Sequence, residues 1–424
     1  MMRPSFDVDP YPGEPKILFI GFTESSHTHS WINLLDGTEL NVRLFGLPSG
    51  VPPDGFKVRT YVTGVTSARL DAEMRARFYP RRLVGQLSKK GFSRLLLGDV
   101  RRLEDKWLAR IIRRWKPDVI HTLGLIPASF FYLRVRRRYE LKGFGKWVLQ
   151  LRGGSDLTLN RFNPELAPRI AEAIRECDQL LSDNEENFKY AFEMGLKEEQ
   201  ITALRTVPGT GGIDIDALAK NWQQPPSSRR LILWPKAAES PWAKSLPILE
   251  AIKLCWEQIQ PCQIHMLATE PEIRSWFLTL PEQIRESCHL DERIPRERVL
   301  KMMAEARVML APSLIDGTPN SMFEAMAAGA LPIVSPLDTI RPIVKNERNV
   351  LFARNLYPTE IAAALARAMT DDALVDCAAE ANLALVKEIA NRAVIRPRVI
   401  EFYRGLAERE RSKTVGDLSL REAV

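Results

Sequence analysis

Asp316 and Glu324 bracket the stretch Asp316-Gly-Thr-Pro-Asn-Ser-Met-Phe-Glu324, which runs on into Ala-Met-Ala-Ala-Gly329-Ala-Leu-Pro-Ile-Val-Ser335. The pattern predicts a loop, a short helix and a buried strand. Thr318 is suited to cap the helix, Pro319 to its first position, where the missing N–H has no partner to lose, and Gly329 to its end. The first-turn N–H groups near Asn320 and Ser321 then face outward as an anion site, above all for phosphate. With Gly317 and Thr318 they form the expected donor-binding loop. Carboxylates beside a phosphate cradle are poor phosphate ligands but good acceptors for sugar hydroxyls. Asp316 and Glu324 therefore point to a nucleotide-sugar pocket.

A diphosphate leaving from a sugar gathers negative charge as the glycosidic bond breaks, so cations aimed at it favour the transition state. Lys236 follows the apolar run Leu231–Trp234, and Lys244 is expected to start the next helix. The segment 316–335 resembles the acidic-x7-acidic signature of the retaining GT-B glycosyltransferases of family 4 (glycosyl transferases group 1), with Asp316 where Glu is usual. Lys236 and Lys244 resemble that family's Arg…Lys pair that grips the donor diphosphate, with Lys in the first place. A lysine is a point charge without the bidentate fork of arginine. The resemblance implies that Glu324 accepts hydrogen bonds from the donor ribose, that Asp316 holds hydroxyls of the transferred sugar, and that Asn320 and Ser321 supply backbone N–H groups to the diphosphate.

Toward the amino end the resemblance is more diffuse. Asp118-Val-Ile-His121-Thr-Leu123 is similar to the family's Asp-Val-Val-His-x-His strand end, and Leu123 stands where the second histidine would face the sugar. His27 and His29 are the candidates to replace it, and His121 is either a site residue or a satisfied strand-end histidine. Arg152-Gly-Gly-Ser-Asp156 resembles a His-Gly-Thr-Asp element, which implies acceptor or sugar contact for Arg152 or Asp156. The alternative is a Gly-rich turn with an Asp cap. No metal ligand cluster beyond the His27/His29 pair is visible. The donor is a co-substrate, and no cofactor or metal is expected.

These residues sit on an alternation of apolar runs and helical periods that predicts an α/β protein with parallel, doubly wound sheets. Strands are expected at Lys16–Gly21, Asn41–Leu47, Asp118–Thr122, Lys146–Arg152, Gln179–Asp183, Arg230–Trp234, Gln263–Ala268 and Arg307–Ala311. Ligands of such sheets bind at the carboxyl ends of strands, where the polar residues above fall. The Gly-rich run Val207–Asp214 reads as a hinge. The expected organisation is a tail over 1–13, an acceptor domain over 14–208 and a donor domain over 209–395. A segment over 396–424 follows, whose helix returns to the first domain by resemblance and whose polar end beyond Glu408 frays. The GT-B fold implied is two Rossmann-like domains facing across a cleft.

The 424 residues and 45% hydrophobic content allow large cores. Five cysteines with no Cys-x-x-Cys pair argue against a disulfide framework or zinc ribbon and suit a reducing cytoplasm. No secretory leader or spanning run is expected. The net charge of +7 is uneven: residues 75–114 hold thirteen Lys or Arg against three acids, and a second basic cluster spans Arg134–Lys146. Interleaved with apolar residues, this basic region suggests peripheral contact with anionic lipid at the inner face of a membrane, or a lipid-linked acceptor. Without a binding motif it does not suggest nucleic acid. The function implied is a hexosyl- or related transferase that moves a sugar from a nucleotide donor to an acceptor hydroxyl with retention, in surface polysaccharide or glycoconjugate synthesis. The alternatives are a GT-B nucleotide-sugar epimerase and a non-catalytic sugar-nucleotide-binding scaffold.

Overall fold

The computed structural model describes residues 6–48, 50–63, 76–79, 93–220, 222 and 225–422. The chain divides into two units. The first holds residues 1–152, 156–211 and 394–424, and the second holds 153–155 and 212–393.

Among the described residues the first unit holds eight parallel strands: β1 (Lys16–Phe22), β2 (Asn41–Leu47), β3 (Arg59–Thr63), β4 (Ala76–Tyr79), β5 (Val119–Leu123), β6 (Lys146–Gln150), β7 (Gln179–Ser182) and β8 (Ile201–Thr206), in the order β4-β3-β2-β1-β5-β6-β7-β8. Ile17 to Ile20 are fully buried, as expected of a central strand covered on both faces. The helix Ser93–Trp115 stops where Lys116 turns to a left-handed φ of 51° before Pro117.

Residues 6–13 are tied into the first unit. Asp9 pairs with Lys16 and Arg43 and accepts the Trp115 indole N–H at 2.7 Å. The helix Arg392–Glu422 also runs past the expected fraying point at Glu408. Val399, Phe402 and Tyr403 join the first unit's core, and Arg411 donates to both carboxylate oxygens of Asp118 at 2.8 and 2.9 Å. Ion pairing at each end overrides the local polarity.

Five of the six cations in the second basic cluster are held internally. Arg134 and Arg138 pair with Asp105, Arg136 with Asp178, Arg137 with Glu172 and Glu176, and Lys146 with Asp178 and Glu410. In the first basic stretch, 75 and 80–92 lie outside the described residues. Among the described residues no helix is long and apolar enough to cross a membrane.

Among its described residues the second unit has six parallel strands: β9 (Leu231–Trp234), β10 (Gln263–Met266), β11 (Cys288–Leu290), β12 (Ala306–Ala311), β13 (Leu331–Val334) and β14 (Leu351–Phe352), in the order β11-β10-β9-β12-β13-β14. Its helix Leu246–Ile259 buries Ile248, Leu249, Ile252 and Trp256, and the helix Asn320–Ala327 buries Met322, Phe323 and Met326. Both units are thus α/β with parallel sheets, the fold class that the sequence predicts.

Candidate functional site

In the second unit a cavity of about 460 Å³ opens on the carboxyl ends of β9, β12 and β13, where Trp234, Ala311 and Val334 lie. Lys236, Lys244, Asp316, Pro319 and Ser321 line it, together with Trp242 and Ser313. Residues 80 positions apart in sequence meet because parallel strands deliver all their outgoing loops to one edge.

Lys236 is exposed and has no ion-pair partner among the described residues. Lys244 is committed: its Nζ lies 2.6 Å from Glu239 Oε1, and Glu239 Oε2 accepts the Ser245 N–H at 2.9 Å. A carboxylate therefore sits on the cation and on a backbone N–H just ahead of the helix Leu246–Ile259, an arrangement that suits an anion. Lys244 does not start that helix but precedes it by two residues. Buried Asn355 fixes it there, accepting the Lys244 N–H at 2.7 Å and donating to the Lys244 and Pro312 carbonyls at 2.9 and 3.0 Å.

Asp316 is half-buried, and burial raises its pKa against the opposing pull of Lys236. One oxygen accepts the Gly317 N–H at 2.8 Å. That N–H is thus spent on the neighbouring carboxylate. The expected Thr318 cap is not formed. Pro319 holds the cap position with extended ψ of 119°, the helix begins at Asn320, and the buried Thr318 Oγ has no partner among the described residues. Proline's fixed φ carries the chain into the helix without a side-chain cap. Gly329, at φ 81°, ends the helix as expected.

Glu324 lies one turn further along the helix, buried, outside the cavity lining, and paired with Arg296 at the start of the helix Arg296–Glu305. Gly317, Thr318 and Asn320 stand beside the cavity without lining it.

The first-unit candidates are bound within their own unit. His121 is fully buried on β5, with Nδ1 2.5 Å from the Tyr403 hydroxyl, which also accepts the Trp31 indole N–H at 3.0 Å. Burial and the nearby Arg152 hold its pKa well below the usual range. Asp156 accepts N–H groups from Leu125 (3.0 Å), Ile126 (3.5 Å) and Arg152 (2.9 Å), tying the loops after β5 and β6 together. Burial lifts its pKa to about 6. The Arg152 side chain donates to Gln150 at 2.8 Å, and burial lowers it to about 10. His29 sits against the Thr23 carbonyl and Phe56, and His27 is exposed on the helix Ser26–Ile32.

Sequence reasoning missed Glu239, Trp242, Arg296 and Asn355. An acid between two phosphate-directed lysines was a visible signal for Glu239. Arg296 and Asn355 act on partners 28 and 111 residues away, and no local pattern marks them.

Residues 237–371 match the family model of glycosyl transferases group 1. No curated protein matches the sequence. Among solved structures, HepE of Anabaena in complex with UDP and glucose is 13% identical, covering 92% of this chain and 99% of its own, with a TM-score of 0.63. A sucrose-phosphate synthase from Thermosynechococcus elongatus is 16% identical, with 93% and 99% covered and a TM-score of 0.65. A trehalose 6-phosphate synthase from Burkholderia multivorans is 14% identical, with 93% and 99% covered and a TM-score of 0.61. These structures share the fold across nearly the whole chain. With the family match in its second unit and this fold throughout, the chain is a glycosyltransferase of GT-B type.

Proposed function

We propose that this glycosyltransferase is a retaining enzyme of the family 4 kind, taking a nucleoside-diphosphate sugar as donor and a hydroxyl as acceptor. The observation that carries the reading is the shared cavity of Lys236, Lys244, Asp316 and the helix start at Pro319–Ser321. Two cations and a helix N-terminus suit a diphosphate, and an adjacent carboxylate suits sugar hydroxyls. That HepE, of the same fold, is seen with UDP and glucose supports a uridine donor as the first to try.

In this reading the lysines stabilise the diphosphate as its bond to the anomeric carbon breaks. The acceptor oxygen bonds to that carbon on the same face, and its proton passes to the departing phosphate oxygen. The lysines and the helix start carry the leaving charge, so the proposed reaction is metal-independent. Glu324 accepts from the ribose hydroxyls. The acceptor is inferred to be a sugar or lipid-linked glycan, in polysaccharide or glycoconjugate synthesis at the inner face of the membrane. The basic composition of residues 75–114 supports contact with anionic headgroups there.

Thermal shift with UDP, GDP, ADP and their sugar conjugates tests the donor pocket, because a ligand of the folded state raises the melting midpoint. Stabilisation by one sugar nucleotide, weakened in Glu324→Ala, is expected. No response to any nucleotide would overturn the reading. Proton NMR of the first product distinguishes a retained from an inverted anomeric centre.

A further inference from the structure

The loop between the two cavity lysines, residues 237–243, is folded onto itself. The Ser240 N–H donates to the Ala243 carbonyl at 3.0 Å, and the Ser240 hydroxyl accepts the Trp242 and Ala243 N–H groups at 3.2 and 3.1 Å. The Trp242 carbonyl in turn accepts the N–H groups of Leu314 and Ile315 at 2.7 and 3.2 Å, the two residues before Asp316. Trp242 is thus anchored by its backbone beside Asp316, on a turn that leaves its main chain little freedom.

Its side chain is treated differently. Trp242 lines the cavity and is 44% exposed. Phe162 and Tyr357 are also exposed, but each lies under an arginine guanidinium, at 4.1 and 3.7 Å from the ring centroid. Trp242 has no ring contact, and its indole N–H has no hydrogen-bond partner, among the described residues. A large flat apolar ring with a polar edge, carried on a fixed backbone in a largely apolar cavity that also holds Lys236, Lys244 and Asp316, matches a ligand that is itself apolar on one side and hydroxylated at its rim.

We propose that Trp242 is the platform on which the sugar ring of the donor packs, its C–H face against the indole while Asp316 takes hydroxyls at the ring's edge. The inference rests on the donor-site reading above and adds the residue that selects for the sugar over the bare nucleotide. The diphosphate belongs with Lys236 and Lys244 at the two ends of the loop. A ring attached to that diphosphate and reaching Asp316 meets the indole between them.

The test is calorimetric titration of wild type, Trp242→Phe and Trp242→Ala with three matched pairs: UDP and UDP-glucose, GDP and GDP-mannose, ADP and ADP-glucose. For the pair that wild type binds, Trp242→Ala is expected to weaken the sugar nucleotide about tenfold while leaving its bare diphosphate within about twofold, with Trp242→Phe between. Equal losses for both members of the pair would put the nucleotide, or loop integrity, on the indole and overturn the proposal. Unchanged affinity for both would overturn it as well. If wild type binds no nucleotide, the donor-site reading fails and this inference falls with it. If wild type binds and the substitution does not discriminate, this inference alone fails.

Discussion

The two units end their parallel strands in the same kinds of residue and use them in opposite ways. At the strand ends of the first unit, Asp156 is saturated by three backbone N–H groups and His121 is locked to Tyr403. At those of the second, Lys236 and Asp316 line the cavity, and Lys244 is met there by the Glu239 carboxylate. Polar residues at a sheet's carboxyl edge therefore do not by themselves mark a binding site. Those enclosed and held by their own unit, as Asp156 and His121 are, support the fold, and those that line a cavity are available to a ligand.

That contrast is broken most severely at Tyr403. Tyr403→Phe leaves the Trp31 indole and the His121 ring without their partner in a dry core. A loss of about 2–4 kcal/mol is expected from denaturant midpoints, with nucleotide affinity unchanged in the folded protein. A comparable effect is expected at Asp156 and depends on pH. Its pKa is 3.8 unfolded and about 6 folded, so the folded state holds the proton more tightly. The stability this supplies is full below the unfolded value and is lost as pH rises through about 6, a span of roughly 3 kcal/mol. The stability difference between wild type and Asp156→Asn should follow that slope between pH 4 and 6 and be flat above it. A flat difference throughout would mean that the carboxyl is ionised in the core.

On the open side, Lys236→Ala should cost about ten- to a hundredfold in affinity for a nucleoside diphosphate, read by calorimetry, with little change in melting temperature. Arg296→Ala is expected to be milder and more selective. If Arg296 orients Glu324 toward the ribose, wild type prefers a ribonucleotide over its 2′-deoxy counterpart. The substitution should reduce that preference a few-fold, and Arg296→Lys should restore part of it. Equal weakening of both nucleotides would assign Arg296 a purely structural part. The smallest effect is expected at Glu239, where Glu239→Gln removes the resident carboxylate charge beside Lys244. Diphosphate affinity should rise a few-fold, and a fall would mean that the acid is needed to shape the loop.

Legibility followed apolar composition and position in the sheet. The central strands β1, β5, β6, β9 and β12 are runs of apolar residues covered on both faces, and they stood out in the sequence. Of the strands that did not, β4, β8, β11 and β14 are edge strands, and β3 is buried throughout but built from Arg59, two threonines, Tyr61 and Val62 rather than an aliphatic run. β8 shows why, since Ile201–Thr206 alternates buried and exposed positions with Thr and Arg among them. The helix after Asp316 was legible from Pro319 and Gly329. Its cap was misplaced because threonine's capping preference is statistical, while proline's φ is a constraint.

The sequence by itself determined the parallel α/β class, the cavity-lining lysines and Asp316, and the helix that points at them. The class and the helix depend on local periods, turn chemistry and the rule that parallel strands send their loops to one edge, and the lysines and Asp316 were marked by their resemblance to the family's motifs. Only the tertiary structure decided which polar residues are spent and which are open. It turned His121, Arg152 and Asp156 inward, set Glu239 on Lys244 and Arg296 on Glu324, held Lys244 through Asn355 and left Trp242 uncovered. Each of those outcomes depends on a partner or an absence of partners at long sequence separation, and hydrogen bonds of that kind leave no period in the chain.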